Sequence, residues 1–285
     1  MIHVGHVREI VRYPVKSMAG IATESALLGW HGLDGDRRFA FRRMGDDGGF
    51  PWLSASRLPE LLLYQPVGLD ESTGEPLPTH VRTPNGSCLE LRSAELKAEL
   101  GERLGSDVDL MKLKHGIFDE AAISVISLAT IAGIGREAGL DLDRRRFRAN
   151  IVVETGASEP FLEDAWVGGT LVFGASDPSV LDGSDARLSK PPAVAGGLGN
   201  RRIVSSDQQP AVSGDQRPAV RVTMCDLRCV MINLDPETAE KDARVMKTVV
   251  RLNQNNAGVY ATVLRTGTIH VGDRVNVVPA TSNEG

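Results

Sequence analysis

Apolar and polar residues alternate along IHVGHVREIVR, residues 2–12, where Val4, Val7 and Ile10 to Val11 lie among His and Arg. Side chains on a strand point alternately to opposite faces, so this pattern predicts a strand with one buried face. Pro14 and Gly20 punctuate the next stretch, and Glu24 to Leu28 reads as a returning strand. Phe39 to Arg42 and the segment near Trp52 continue a series of short extended pieces. Between His80 and Leu91 a Pro84-Asn85-Gly86 turn separates two short runs, which is a hairpin signal. Short strands joined by Gly and Pro turns suggest a barrel or a sandwich.

The period changes at Ser93. Leu96, Leu100 and Leu104 recur every four residues, with Ser93 placed to cap the first turn and Gly105 to end the last. A second helix is expected over Leu128 to Ala138, with Ile131 and Ala138 inward and Gly139 as its stop. Val108 to Leu113, Phe147 to Glu154, Gly169 to Phe173 and Val220 to Met224 read as strands. Near the end, AGVYATVLRTGTIHVGDRVNVV carries two alternating runs around a Gly-containing turn. Residues 177–218 differ: they are rich in Pro, Gly, Ser, Asp and Gln, lack an apolar period, and read as a long surface loop or disordered insertion. The expected fold is therefore mainly β with a few helices, an α+β chain.

At 285 residues the chain is long enough for one large or two ordinary domains. Thirty-two Lys and Arg against 37 Asp and Glu leave a net charge of −5, which argues against a nucleic-acid footprint. No apolar run reaches membrane-spanning length, and the N-terminus lacks the layout of a secretory signal, so a cytoplasmic protein with no membrane partner is expected. The three cysteines, Cys88, Cys225 and Cys229, are too few for a disulfide scaffold or for a four-thiolate iron–sulfur cluster. The histidines form no metal-binding pair at helical spacing.

Two features carry possible chemistry. In CDLRC, Cys225 and Cys229 stand around Arg228, and a guanidinium beside a thiol favours the thiolate, the form that attacks or binds metal. The commoner fate of a lone cysteine is packing, which is the reading for Cys88. Lys16 in YPVKS, Arg37 in GDRRF and Arg148 in RFRAN stand at abrupt turns beside apolar strands. Arg next to Asn or Ser suits a phosphate, although each basic residue taken singly is better explained by solvation. Glycine-rich phosphate loops and a serine nucleophile elbow are absent.

Five segments in order resemble a known family: YPVKS (13–17), GLDGDRRF (32–39), RFRANIVV (146–153), CDLRCVMINLDPET (225–238) and AGVYATVLRTGTIHVGDRV. They are similar to proteins with a MOSC N-terminal β-barrel domain followed by a MOSC domain. This arrangement occurs in the mitochondrial amidoxime-reducing component, its bacterial relatives and the C-terminal part of molybdenum cofactor sulfurases. The resemblance implies an N-terminal domain over 1–115 and a MOSC domain over 116–280 that contains the 177–218 insertion. It also implies binding of the molybdenum cofactor, a pterin dithiolene with a terminal phosphate (Mo-molybdopterin). Cys229 takes the position of the thiolate on molybdenum, with Arg228 helping to keep the sulfur ionised. Lys16, Ser17, Arg37, Arg148 and Asn150 fall on positions that hold the pterin and its phosphate, and Tyr260 on one that lies against the cofactor. Asp119 and Glu120 align with a less regular segment near the metal. Leu227 departs from the reductases, which have a polar residue there, and Cys225 is read as structural.

The activity so implied is reduction of small N-hydroxylated compounds, a metal-dependent oxidoreductase reaction. This chain has no ferredoxin module or flavin motif, so electrons are expected from a separate donor of ferredoxin, flavoprotein or cytochrome type. The rival expectation is a cofactor carrier or sulfur-handling module without turnover of its own, as in MOSC domains fused to pyridoxal-phosphate desulfurases.

Overall fold

The computed structural model describes residues 1–46, 48–70, 76–114, 116, 120–174 and 217–280. The 177–218 insertion, except for its last two residues, and Asp119 lie outside the described residues.

In chain order the strands are β1 (Ile2–Arg12), β2 (Ile21–Thr23), β3 (Ser25–Gly29), β4 (Gly32–Leu33), β5 (Phe39–Arg43), β6 (Gln65–Val67), β7 (His80–Arg82) and β8 (Cys88–Glu90). Helix α1 (Ala94–Leu104) precedes β9 (Val108–Lys112) and β10 (Ile123–Ser127), and α2 (Leu128–Ala138) precedes β11 (Ile151–Thr155). Then come β12 (Thr170–Phe173), β13 (Ala219–Leu227), α3 (Ala243–Asn253), β14 (Asn256–Arg265), β15 (Gly267–His270) and β16 (Arg274–Val278).

Seven of these strands close on themselves. The order β11-β10-β14-β13-β12-β16-β1 returns to its start because β1 also pairs with β11, and β2 is added beside β1. Closure removes free sheet edges, and inward-facing Val, Ile and Phe fill the interior. Val7, Val125, Val153, Leu171, Val222 and Val259 are among these core residues, each at most 1% exposed. Burying each such side chain is worth about 1.5–3 kcal/mol. The mainly β, α+β expectation is thereby met.

The first strand closes the barrel built from the C-terminal half, and β3 likewise pairs with β15. A second core holds the smaller sheets, β5 with β9 and β6-β7-β8, against α1. A third lies outside the barrel, where Ile131 and Ile134 of α2 meet Val245 and Val249 of α3.

Local chemistry explains the helix ends. The Ser93 hydroxyl accepts from the Leu96 amide and Gly105 closes α1 with a left-handed backbone. Ser127 and Gly139 do the same for α2, where Ile131 is buried but Ala138 only partly so. Helix α3 was not anticipated, although the Asp242 cap and buried Val245, Thr248 and Val249 give it a helical period. The strand expected from Phe147 begins only at Ile151. Arg144–Phe147 form a short 3₁₀ turn and Arg148 adopts a left-handed backbone, which breaks the extended run.

Candidate functional site

Cys229 lies two residues past the end of β13, and its thiol is exposed. Strand alternation explains how it comes to be there. Asp226 and Arg228 turn inward and are buried, while Leu227 and Cys229 face out.

Arg228 is committed to the interior. Its Nε donates to the Ala257 carbonyl at 2.6 Å and Nη1 to the Phe147 carbonyl at 2.7 Å. Nη2 lies 2.8 Å from Asp226 Oδ2, an ion pair of proximity, since that nitrogen has no well-directed hydrogen bond. The guanidinium thus braces the end of β13. Asn255 adds to the brace: the Arg228 amide donates to its carbonyl, and its side-chain amide donates back to the Arg228 carbonyl. Gly258 makes room for this packing. Its φ is +84°, and a Cβ there would stand 2.6 Å from the Val125 carbonyl oxygen and 3.1 Å from Arg228 Nη2. Gly258→Ala is therefore expected to destabilise the fold by at least about 2 kcal/mol, as a lowered midpoint in urea would report.

From Asp226 a chain of polar contacts crosses the barrel wall. The Ser124 hydroxyl donates to Asp226 Oδ2 at 2.7 Å, and the Tyr260 hydroxyl also bonds that carboxyl. Burial holds the Asp226 carboxyl above its ordinary pKa, against the opposing pull of Arg228 and these two donors. The Ser124 amide donates to Asn150 Oδ1 at 3.2 Å, and Arg37 Nη1 donates to the same oxygen at 3.0 Å. Asn150 Nδ2 donates to Asp36 Oδ2 at 3.0 Å and to the Val11 carbonyl, and Arg37 forms a close ion pair with Asp36. Buried polar groups are costly unless joined in this way, and joined they fix one arrangement.

Both Arg37 and Arg148 lie over the Tyr13 ring, with guanidinium carbons 5.6 and 4.2 Å from its centroid. Arg148 Nη1 also donates to the Met18 carbonyl at 2.8 Å, tying the 3₁₀ turn to the loop after β1. Seven non-glycine residues among those described have a left-handed backbone, and Ser17, Arg37 and Arg148 are three of them. Such conformations cost on the order of 1–3 kcal/mol each and gather where a side chain must be aimed.

Arg37, Arg148, Asn150, Arg228 and Tyr260 are thus linked in one network that ends at Arg228, the residue before Cys229. Ser17 is buried in the adjoining loop. Lys16 turns to another neighbour, its ammonium 5.4 Å from the centre of the Phe50 ring. Glu120 is exposed at a bend. The Cys225 thiol is pushed above its ordinary pKa, first by burial and then by Asp164, which fits a packing role. Sequence reasoning missed Tyr13, Asp36, Ser124 and Asp226. The first, second and fourth lie inside the YPVKS, GLDGDRRF and CDLRC motifs; Ser124 carries no local signal, since its partner is 102 positions away.

Among the described residues no group of three or more His, Cys, Asp or Glu gathers to hold a metal ion. A groove of about 730 Å³ opens elsewhere, along α2 and the Leu140–Arg145 segment, and its lining shares no residue with the network. Chemistry, rather than volume, therefore locates the candidate site. No helix among the described residues is long and apolar enough to cross a membrane.

The fold and site define a closed β-barrel with accessory sheets, an exposed thiol just past the end of β13, and a polar network that fixes Arg37, Arg148 and Arg228. Residues 4–114 match the model of the MOSC N-terminal beta barrel domain, and residues 112–180 and 194–276 match that of the MOSC domain. The chain belongs to the MOSC family. No curated protein matches it. Among solved structures, the YUAD protein from Bacillus subtilis is 13% identical, covering 96% of this chain and 94% of that one with a TM-score of 0.46.

Proposed function

We propose that the protein binds the molybdenum cofactor through Cys229 and uses it to reduce N-hydroxylated compounds. The observation that carries the proposal is the exposed thiol of Cys229 at the end of a network that fixes Arg37, Arg148, Asn150 and Tyr260.

The donor set fits this cofactor. A thiolate is a soft ligand for a heavy metal, and one protein sulfur suffices when a dithiolene supplies the others. An anionic pterin phosphate needs cations fixed in advance, and the guanidinium groups of Arg37 and Arg148, held by Asp36, Asn150 and the Met18 carbonyl, are planar cations of that kind. Lys16 and Ser17, on the loop that receives the Arg148 bond, would complete the cradle, with Tyr260 against the pterin side. When bound, the cofactor supplies the two-electron chemistry that removes oxygen from an N–OH group. The protein contributes orientation, charge and a ligand. The reaction consumes two electrons and two protons and releases the amine or amidine and water. The electrons come, in this reading, from a separate redox protein.

The test is reduction of an N-hydroxylated amidine by protein from a cofactor-making host, with an artificial electron donor. Turnover supports the proposal. Bound cofactor without turnover on any such substrate would favour a carrier. Arg37→Ala and Arg148→Ala are each expected to weaken cofactor retention by roughly 1.5–3 kcal/mol, the worth of a charge-assisted contact. Pterin assay after gel filtration reads this directly, and unchanged occupancy in both variants counts against the phosphate cradle.

A further inference from the structure

We infer that Tyr13 is the positioning residue of the cofactor site: its ring aims Arg37 and Arg148. The inference rests on the proposed cofactor site and adds a residue to it.

Three kinds of contact converge on Tyr13. Its amide donates to Asp36 Oδ1 at 2.6 Å, and its carbonyl accepts from the Arg37 amide at 2.9 Å, so residue 13 clasps the 36–37 turn by its backbone. Its ring then receives the two guanidinium groups, 5.6 and 4.2 Å from the centroid. A ring's negative face attracts cations, and it can hold two like charges near each other without pairing with either as a carboxylate would. Asp36 already pairs with Arg37, so the part of the ring is to orient: it faces both guanidinium groups and adds no second negative charge beside them.

The surroundings are shaped to keep the ring there. Tyr13 is 3% exposed, and burial pushes its hydroxyl up to about 12, so the ring stays neutral at working pH. Gly20 leaves the ring edge its space: a Cβ at residue 20 would stand 2.6 Å from Tyr13 Cε1 and 2.5 Å from Val11 Cγ1. No left-handed backbone is needed at Gly20, so Gly20→Ala acts through space, and its nearest contacts are the Tyr13 ring and the Val11 side chain.

The test replaces Tyr13 with phenylalanine and then with phenylalanines carrying one, three and five ring fluorines, in a host that makes molybdenum cofactor. Fluorination drains the ring face of electron density while nearly preserving its volume, so a ring that only fills space gives constant results. Pterin per chain after gel filtration is measured beside the thermal midpoint of each cofactor-free protein. Tyr13→Phe is expected to retain the parent's pterin. Retention then falls stepwise with fluorination, by about two- to fivefold for each weakened cation–ring contact, at a nearly constant midpoint. Gly20→Ala, which displaces the ring without removing it, is expected to lower retention as well. Equal retention across the fluorinated series overturns the assignment to Tyr13 while leaving the cofactor reading intact. Parent protein without pterin overturns both.

Discussion

Cys229→Ala is expected to abolish N-hydroxylated-substrate reduction and to leave the fold unchanged. The thiol is exposed and closes no contact in any of the three cores, so its loss falls in the surface range of about 0.5 kcal/mol. For a chain of this size that is a shift of roughly 1–2 °C in the thermal midpoint. A metal ligand, by contrast, has no substitute among the described residues, which offer no cluster of alternative donors. Turnover and molybdenum content, measured beside the melting curve, separate the two effects. Full activity in the variant would mean that the sulfur is not the ligand. Cys88→Ala, which removes another exposed thiol, serves as the control and is expected to change neither quantity.

The second large effect is expected at Arg228. Its guanidinium satisfies two buried carbonyls, Ala257 and Phe147, and pairs with buried Asp226. Arg228→Met keeps much of the volume but leaves the two acceptors and the carboxyl without their cation. Truncating one member of such a pair typically costs about 3–5 kcal/mol. A fall of that size in urea-derived stability is the expected result. The double variant Arg228→Met, Asp226→Leu removes the stranded carboxyl too and is expected to regain part of the loss, because an apolar pair carries no desolvation cost. If Arg228→Met matched the parent in stability and lost only cofactor, the side chain would be a ligand contact and not a brace.

These two residues also show what could be read along the chain. Local signals were sufficient wherever one period or one cap decides the outcome: Ser93 and Gly105 bound α1, and the Pro84–Gly86 turn joins β7 to β8. The five motifs likewise contain Cys229 and most residues of the polar network, with Ser124 outside them. Closure of the barrel was not legible, because β1 pairs with β11 and β16 across more than half the chain, and nothing in residues 2–12 names those partners. The strand expected over Phe147 to Glu154 failed at its start for a related reason. Arg148 gives up an extended backbone in order to reach Tyr13 and the Met18 carbonyl, and tertiary contact overrides the local β preference. Arg228 was legible as a basic residue beside a thiol but not as a brace, since its acceptors lie at 147 and 257.

The same geometry explains why no basic patch stands out in a chain of net charge −5. Arg37 and Arg148 are 111 positions apart in sequence and meet over one ring only after the barrel closes. Their charge is set in place by Asp36, Asn150 and Tyr13, so the strain of their left-handed backbones is offset by contacts that a surface arginine lacks.

Molybdenum and pterin, counted per chain in protein from a cofactor-replete host, test the central claim most directly. Near one of each is expected, with X-ray absorption at the metal edge reporting one sulfur beyond the dithiolene pair, lost in Cys229→Ala. Protein that emerges from the same host with neither, or whose metal keeps that third sulfur in the alanine variant, would contradict it.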